Sequence, residues 1–135
     1  MSHLQTVQQI YQAFATGDVP AILGKLAPDV AWESWADHSA QRAGVPWLLP
    51  RTGRDGAAAF FQVVGTQLRI HDFRVLALME GENQVAAEVT IDAELIGGGR
   101  FQDEEIHLWT FDAGGLVKRF RHYVDTAKHI AAAPK

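Results

Sequence analysis

The sequence predicts an α+β fold in which helices come first and a curved antiparallel sheet follows, enclosing one pocket for a small organic molecule. Three observations carry that expectation. The apolar period switches from 3.6 to 2 near Leu68 and stays there. Four strand-like runs then follow one another across short turns, which requires antiparallel neighbours. Between Ala36 and Gly53 the pattern breaks, yet the stretch keeps Trp47, Leu48 and Leu49 and is too apolar for a solvated linker.

The first helix carries Leu4, Val7, Ile10, Tyr11 and Phe14 on one side and Gln5, Gln8, Gln9 and Gln12 on the other. Ser2 is positioned to cap it and Thr16-Gly17-Asp18 to end it. Asp18 then caps a shorter helix bearing Ile22, Leu23 and Leu26, stopped by Pro28. A strand is expected over Asp29 to Trp35, and a flap over Ala36 to Gly53. A third helix starts at Asp55 with Ala57, Phe60, Phe61 and Val64 on one face. The strands that follow are Arg69 to Met79, a run from Val85 to Leu95, Arg100 to Asp112, and Leu116 to Asp125. In the second of these, Val85, Ala87, Val89, Ile91, Ala93 and Leu95 alternate with more polar residues, the mark of a half-buried antiparallel strand. Thr126 caps a brief last helix through Ile130. A twisted sheet with three helices gathered on one side curls into a cone with an open mouth and an apolar interior.

The 135 residues suit a single domain over 1–135 with a core of its own. With 47% hydrophobic and 21% charged residues the composition is that of an ordinary globular chain. No cysteine is present, which excludes disulfides, thiolate metal sites and a cysteine nucleophile. A net charge of −4 with scattered Lys and Arg argues against nucleic acid as a partner. No apolar run of about 18 residues offers a membrane span, and the start lacks a signal peptide's charged and apolar blocks; the cytoplasm is the expected location. Gly97-Gly98-Gly99 joins two strands with no helix after it, so it is a hairpin rather than a phosphate cradle. The six His residues show no metal-ligand spacing, and neither metal nor cofactor is expected.

The segment Val7 to Phe14 followed by Gly17-Asp18 resembles the opening of the SnoaL-like proteins of the NTF2-like superfamily, which include ketosteroid-isomerase-like proteins. Leu26-Ala27-Pro28-Asp29-Val30-Ala31-Trp32, Gly53 to Phe61, His107 to Phe111 and Arg119 to Thr126 extend the resemblance over nearly the whole chain. It implies the cone-shaped NTF2-like fold, N-terminal helices packed in the curved sheet, and a homodimer formed through that sheet. Relatives of this fold include cyclases, isomerases, dehydratases, epoxide hydrolases and proteins without chemistry, so the choice rests on the site. The epoxide hydrolases' Asp-Arg-Asp constellation is not matched, since Arg119 is followed at that spacing by Arg121.

Cofactor-free chemistry beside a carbonyl needs a carboxylate or imidazole in an apolar wall and a neutral donor for the oxygen. Asp125 is the first candidate acid/base, because the resembled polyketide cyclases carry a catalytic aspartate there; capping the last helix is its bland reading. Tyr123 shares its strand parity and is the candidate donor, and Arg121 at the same parity could meet the substrate. His107 is the second candidate, flanked at its own parity by Glu105, which would hold one tautomer, and by Trp109. Trp32, Trp35, Trp47, Leu48, Phe60 and Trp109 are the expected pocket lining, with the Trp47 flap as lid. Which face His107 occupies is open. With a four-residue turn at Asp112 to Gly115, His107 shares a face with His122 and Asp125 points away. One residue more, or one bulge, brings His107 onto the face of Arg119, Arg121, Tyr123 and Asp125. The expected function is a cofactor-independent proton-transfer enzyme for a small apolar carbonyl compound. The alternative is a ligand-binding or dimerisation module of the same fold without catalysis.

Overall fold

The computed structural model describes residues 1–33, 35 and 37–134. Ser34, within the expected first strand, Ala36, where the expected flap begins, and the terminal Lys135 lie outside the described residues.

Helix α1 (His3–Thr16) opens with a capping box: the Ser2 hydroxyl accepts from the Gln5 backbone N–H at 3.1 Å, and the Gln5 side chain accepts from the Ser2 N–H at 3.0 Å. It closes at Gly17, whose φ of 73° is left-handed. Helix α2 (Val19–Leu23) is capped by the Asp18 carboxylate, as expected, but ends at Gly24. Leu26 and Pro28 belong instead to strand β1 (Leu26–Trp32), where Pro28 has no paired residue on either side. The flap region folds into helix α3 (Ser39–Arg42), a 3-10 turn over Pro46–Leu48 and strand β2 (Arg51–Thr52). Helix α4 (Gly53–Gln67) starts two residues before Asp55 and is tied to β1 by Arg54, whose guanidinium donates twice to the Leu26 carbonyl at 2.7 and 3.0 Å. Strands β3 (Leu68–Glu80), β4 (Gln84–Leu95), β5 (Arg100–Phe111) and β6 (Val117–Tyr123) follow, then helix α5 (Thr126–Ala132), whose N-cap is Asp125 rather than Thr126.

The sheet runs β2-β1-β6-β5-β4-β3. All neighbours are antiparallel except β1 and β6, which the intervening helices and strands bring together in parallel. Curvature concentrates in β3, where the register against β4 shifts once between Ile70 and Asp72 and again between Val75 and Ala77. Each shift leaves one residue unpaired and bends the strand. Leu68, Ile70 and Phe73 thereby face the interior together, although a strict alternation would send Phe73 outward.

Two apolar clusters fill the interior. One gathers Val7, Ile10, Ile22, Val30, Trp32, Ala57, Trp109, Phe111 and Phe120; the other gathers Val45, Trp47, Leu48, Leu68, Leu95, Phe101 and Ala132. Each large side chain fully buried in this way contributes about 1.5–3 kcal/mol against exposure. Strand β5 joins the clusters, with Phe101 in one and Trp109 and Phe111 in the other. Between them, on the same buried face, stand Asp103, Glu105 and His107.

The β5–β6 hairpin answers the question of face. Phe111 pairs with Val117, so the turn is one residue longer than four, and a bulge follows that sets Thr110 against Arg119. Each event alone would reverse the side chains; together they cancel. His107 pairs with His122, Trp109 with Phe120, and all four point inward. No helix among the described residues is long and apolar enough to cross a membrane.

Candidate active site

The interior holds a cavity lined by Tyr11 and Phe14 of α1, Trp32 of β1, Trp47 of the 3-10 turn, Phe60 and Phe61 of α4, Ile70 and Phe73 of β3, and by Phe101, Glu105, His107, Trp109, Phe120, His122 and His129. Its volume is about 90 Å³. A wider groove between α1, α2, α4 and β3 shares Tyr11, Phe14, Phe61, Ile70 and Phe73 with it and leads outward past Gly17, Val19 and Val75. Access is therefore from the helical side. Trp47, expected as a lid, does not line that groove; it is 3% exposed and packs on Phe101 and His129 at the closed end.

A hydrogen-bonded chain runs along the floor. The Trp109 indole, which can only donate, gives its proton to the Tyr11 oxygen at 3.1 Å. Tyr11 Oη lies 2.7 Å from His107 Nδ1, and His107 Nε2 lies 3.4 Å from Glu105 Oε1. A carboxylate accepts, so Nε2 carries the His107 proton and Nδ1 is left as the acceptor of the Tyr11 O–H. The other Glu105 oxygen, Oε2, lies 3.1 Å from His129 Nε2, which also approaches Asp103 Oδ2 at 2.8 Å. On the far side of that ring, the Trp47 indole donates to His129 Nδ1 at 2.9 Å. Asp103 further accepts from the backbone N–H groups of Glu104 and Asp125 at 2.9 and 3.1 Å.

Burial and partners oppose each other here. Burial alone would raise the Glu105 carboxyl, but hydrogen bonds from His107 and His129 outweigh it and hold the group below the usual carboxylate range. Burial raises the Tyr11 phenol well above its ordinary value, so it stays a neutral donor. His122, beside His107 with ring centroids 5.8 Å apart, is driven down to about 3 chiefly by burial and remains uncharged. Burial would lower His129, yet its bonds to Asp103 and Glu105 raise it.

Asp103, Glu105 and His129 offer three ligand atoms within 4.8 Å of one another. The arrangement does not suit a cation. The Trp47 N–H requires a lone pair at His129 Nδ1, which leaves the proton on Nε2, the atom a metal would need.

Of the residues expected from sequence, His107, Trp32, Trp47, Phe60 and Trp109 line the cavity, and Glu105 holds His107 by the anticipated bond. Asp125 and Tyr123 do not. The cancelled register shift turns Tyr123 and Arg121 to the opposite face of β6, where Tyr123 meets Trp35 at 5.5 Å. Asp125 is exposed past the strand's end and caps α5 through its backbone. Leu48 is buried beneath the cavity wall without lining it, and Trp35 is 38% exposed. Sequence reasoning missed Tyr11, Asp103 and His129. Asp103 was within reach: on one strand face with Phe101, Glu105, His107 and Trp109, it had to enter with them.

Comparison with known proteins agrees with this architecture. An NTF2-like protein of unknown function from Burkholderia pseudomallei is 27% identical over 100% of both chains, with a TM-score of 0.81. An NTF2-like protein from Burkholderia thailandensis is 22% identical, covering 95% of this chain and 94% of that one, with a TM-score of 0.81. A proposed polyketide cyclase from Pseudomonas putida is 19% identical over 99% of both, with a TM-score of 0.75. No curated protein matches. The SnoaL-like domain profile matches residues 7–120, most of the chain, and the chain belongs to the SnoaL-like family of NTF2-like proteins.

Proposed function

We propose that this protein is a cofactor-independent enzyme that moves a proton on a small, apolar carbonyl compound, the chemistry of a cyclase, isomerase or dehydratase. The observation that supports it is the Glu105–His107–Tyr11 chain at the floor of an apolar cavity. The Pseudomonas putida neighbour, a proposed polyketide cyclase, fits the same chemistry. In this reading His107 Nδ1 takes a proton from the carbon beside the carbonyl. The C–H bond breaks, an N–H bond forms, and the electron pair moves onto the carbonyl oxygen. Tyr11 turns its O–H from Nδ1 to that oxygen, and Glu105 stabilises the imidazolium. Returning the proton from His107 to another atom completes an isomerisation; passing it to a β-hydroxyl, whose C–O bond breaks as the enolate's electron pair re-forms the carbonyl, releases water and completes a dehydration.

A bicyclic ketone with acidic α-hydrogens, 2-tetralone, tests this without knowledge of the natural substrate. Proton NMR in D₂O should show enzyme-dependent loss of its α-hydrogen signals. His107→Gln should slow the exchange about 10²–10⁴-fold, the usual worth of a positioned acid/base. Exchange unchanged in that variant would remove His107 from the role. A ketone that binds and exchanges no faster than in buffer would favour a binding module instead.

A further inference from the structure

The cavity wall contains one donor that the proton-transfer chain does not use. Trp32 of β1 lines the cavity and is 2% exposed, yet its indole Nε1 has no hydrogen-bond acceptor among the described residues. Its ring neighbours cannot supply one. Phe60 and Phe61 lie at 5.5 and 5.4 Å, Phe120 is stacked on it at 4.4 Å, and Trp109 meets it edge-on at 5.8 Å. The three phenylalanines carry no polar atom, and the single polar atom of Trp109 is itself a donor, already given to Tyr11. The other indole inside the cavity, Trp47, also has its acceptor, in His129. Buried indole N–H groups ordinarily find a partner, and one left without it in a residue that lines a cavity points to an acceptor arriving from that cavity.

We propose that the Trp32 indole N–H is the docking point for an uncharged oxygen acceptor, the carbonyl of a flat apolar ligand, and so fixes which end of the ligand faces His107. The aromatic surround of Phe60, Phe61, Trp109 and Phe120 suits a planar hydrocarbon frame and excludes water, which strengthens a single N–H···O bond. The Glu105 carboxylate, buried on the same floor, disfavours a carboxylate or phosphate in that place. Trp32 is a substrate-orienting residue; Tyr11 and His107 remain the groups that meet the moving proton. The inference rests on the proposed reading only in taking the ligand to be a carbonyl compound, and its test does not depend on turnover.

The probe pair is 2-tetralone and 2-methylidenetetralin, its carbon isostere with CH₂ in place of the carbonyl oxygen. The protein has four tryptophans, so an ¹⁵N-indole spectrum carries four side-chain N–H signals, assignable by single Trp→Phe replacements. On titration of the wild-type protein with 2-tetralone, the Trp32 signal should move downfield while that of exposed Trp35 stays fixed. The isostere should leave the Trp32 signal upfield and bind about tenfold more weakly, the worth of one net hydrogen bond. Trp32→Phe should bind ketone and isostere equally. The proposal is overturned if the ketone fails to bind up to its solubility, if it binds without moving the Trp32 signal, or if Trp32→Phe keeps the preference. The wild-type spectrum decides the matter even where the variant does not fold. A shifted Trp32 signal without catalysed hydrogen exchange would overturn the enzymatic reading while leaving this one standing.

Discussion

Acid should weaken this fold through His122 in a way that one substitution removes. The His122 ring is 7% exposed, lies against Phe60 and Phe120, and is driven from 6.5 to about 3, mainly by burial, with the Glu105 carboxylate offsetting part of that. The folded state thus refuses a proton that the unfolded chain accepts at 6.5. The contribution of a neutral buried histidine is fully present above the unfolded value and is lost as pH falls from 6.5 toward 3. Each pH unit in that window costs about 1.4 kcal/mol. Moving from pH 7 to 4.5 therefore costs about 2–3 kcal/mol through this ring alone. Urea unfolding of the wild type and of His122→Gln at both pH values isolates the effect. Glu105, held low, also loses stability on acidification, but it keeps its bonds to His107 and His129 in the variant, and only its weaker coupling to His122 differs between the two proteins. The wild type should lose about 2–3 kcal/mol more than the variant over this interval. Equal losses would refute the assignment of a neutral, burial-strained His122.

Other consequences are open to direct test. A Cβ at Gly99, where φ is 113°, would lie 2.6 Å from the Ala132 carbonyl oxygen, so Gly99→Ala should cost about 2–4 kcal/mol in urea unfolding. Gly97→Ala, with nothing within 4 Å, should cost under about 1 kcal/mol and serves as the control. Trp47→Phe strips the donor from His129 Nδ1, at a cost of about 1–3 kcal/mol. With that lone pair released beside Asp103 and Glu105, the ring should take a second proton, and carbon NMR of His129 should report an imidazolium near neutral pH.

Much of the architecture was readable because it is written in periodicity. The Ser2 cap, the Gly17 stop and the inward run Val85 to Leu95 need only local sterics and burial, and the structure has each of them. The site was harder, because its geometry is set by offsets that composition does not record. One extra residue in the Asp112 turn and one bulge in β6 decide whether His107 or Tyr123 looks inward, and neither residue's own identity determines the outcome. Glu105 and His107 were legible as neighbours on a strand. Their remaining partners, Tyr11 and His129, come from helices at opposite ends of the chain. Tyr11 looked like one more apolar member of α1, since its hydroxyl matters only once β5 is folded against it. Position 125 was misleading for the opposite reason: the family pattern placed an aspartate there, while the local strand ends before it and leaves it in solvent.

The two register slips in β3 have a further effect. They set the width of the entrance at Ile70, Phe73 and Val75, whereas the ionisable groups sit two strands further in, on β5, in an uninterrupted ladder with β4. Aperture and reactivity are thus carried by different strands. Lengthening or straightening the rim beyond Phe73, whose ring reaches Tyr11 and His107, could admit bulkier molecules while the β5 row keeps its ladder with β4, which makes this edge strand the natural place to retune what the protein accepts.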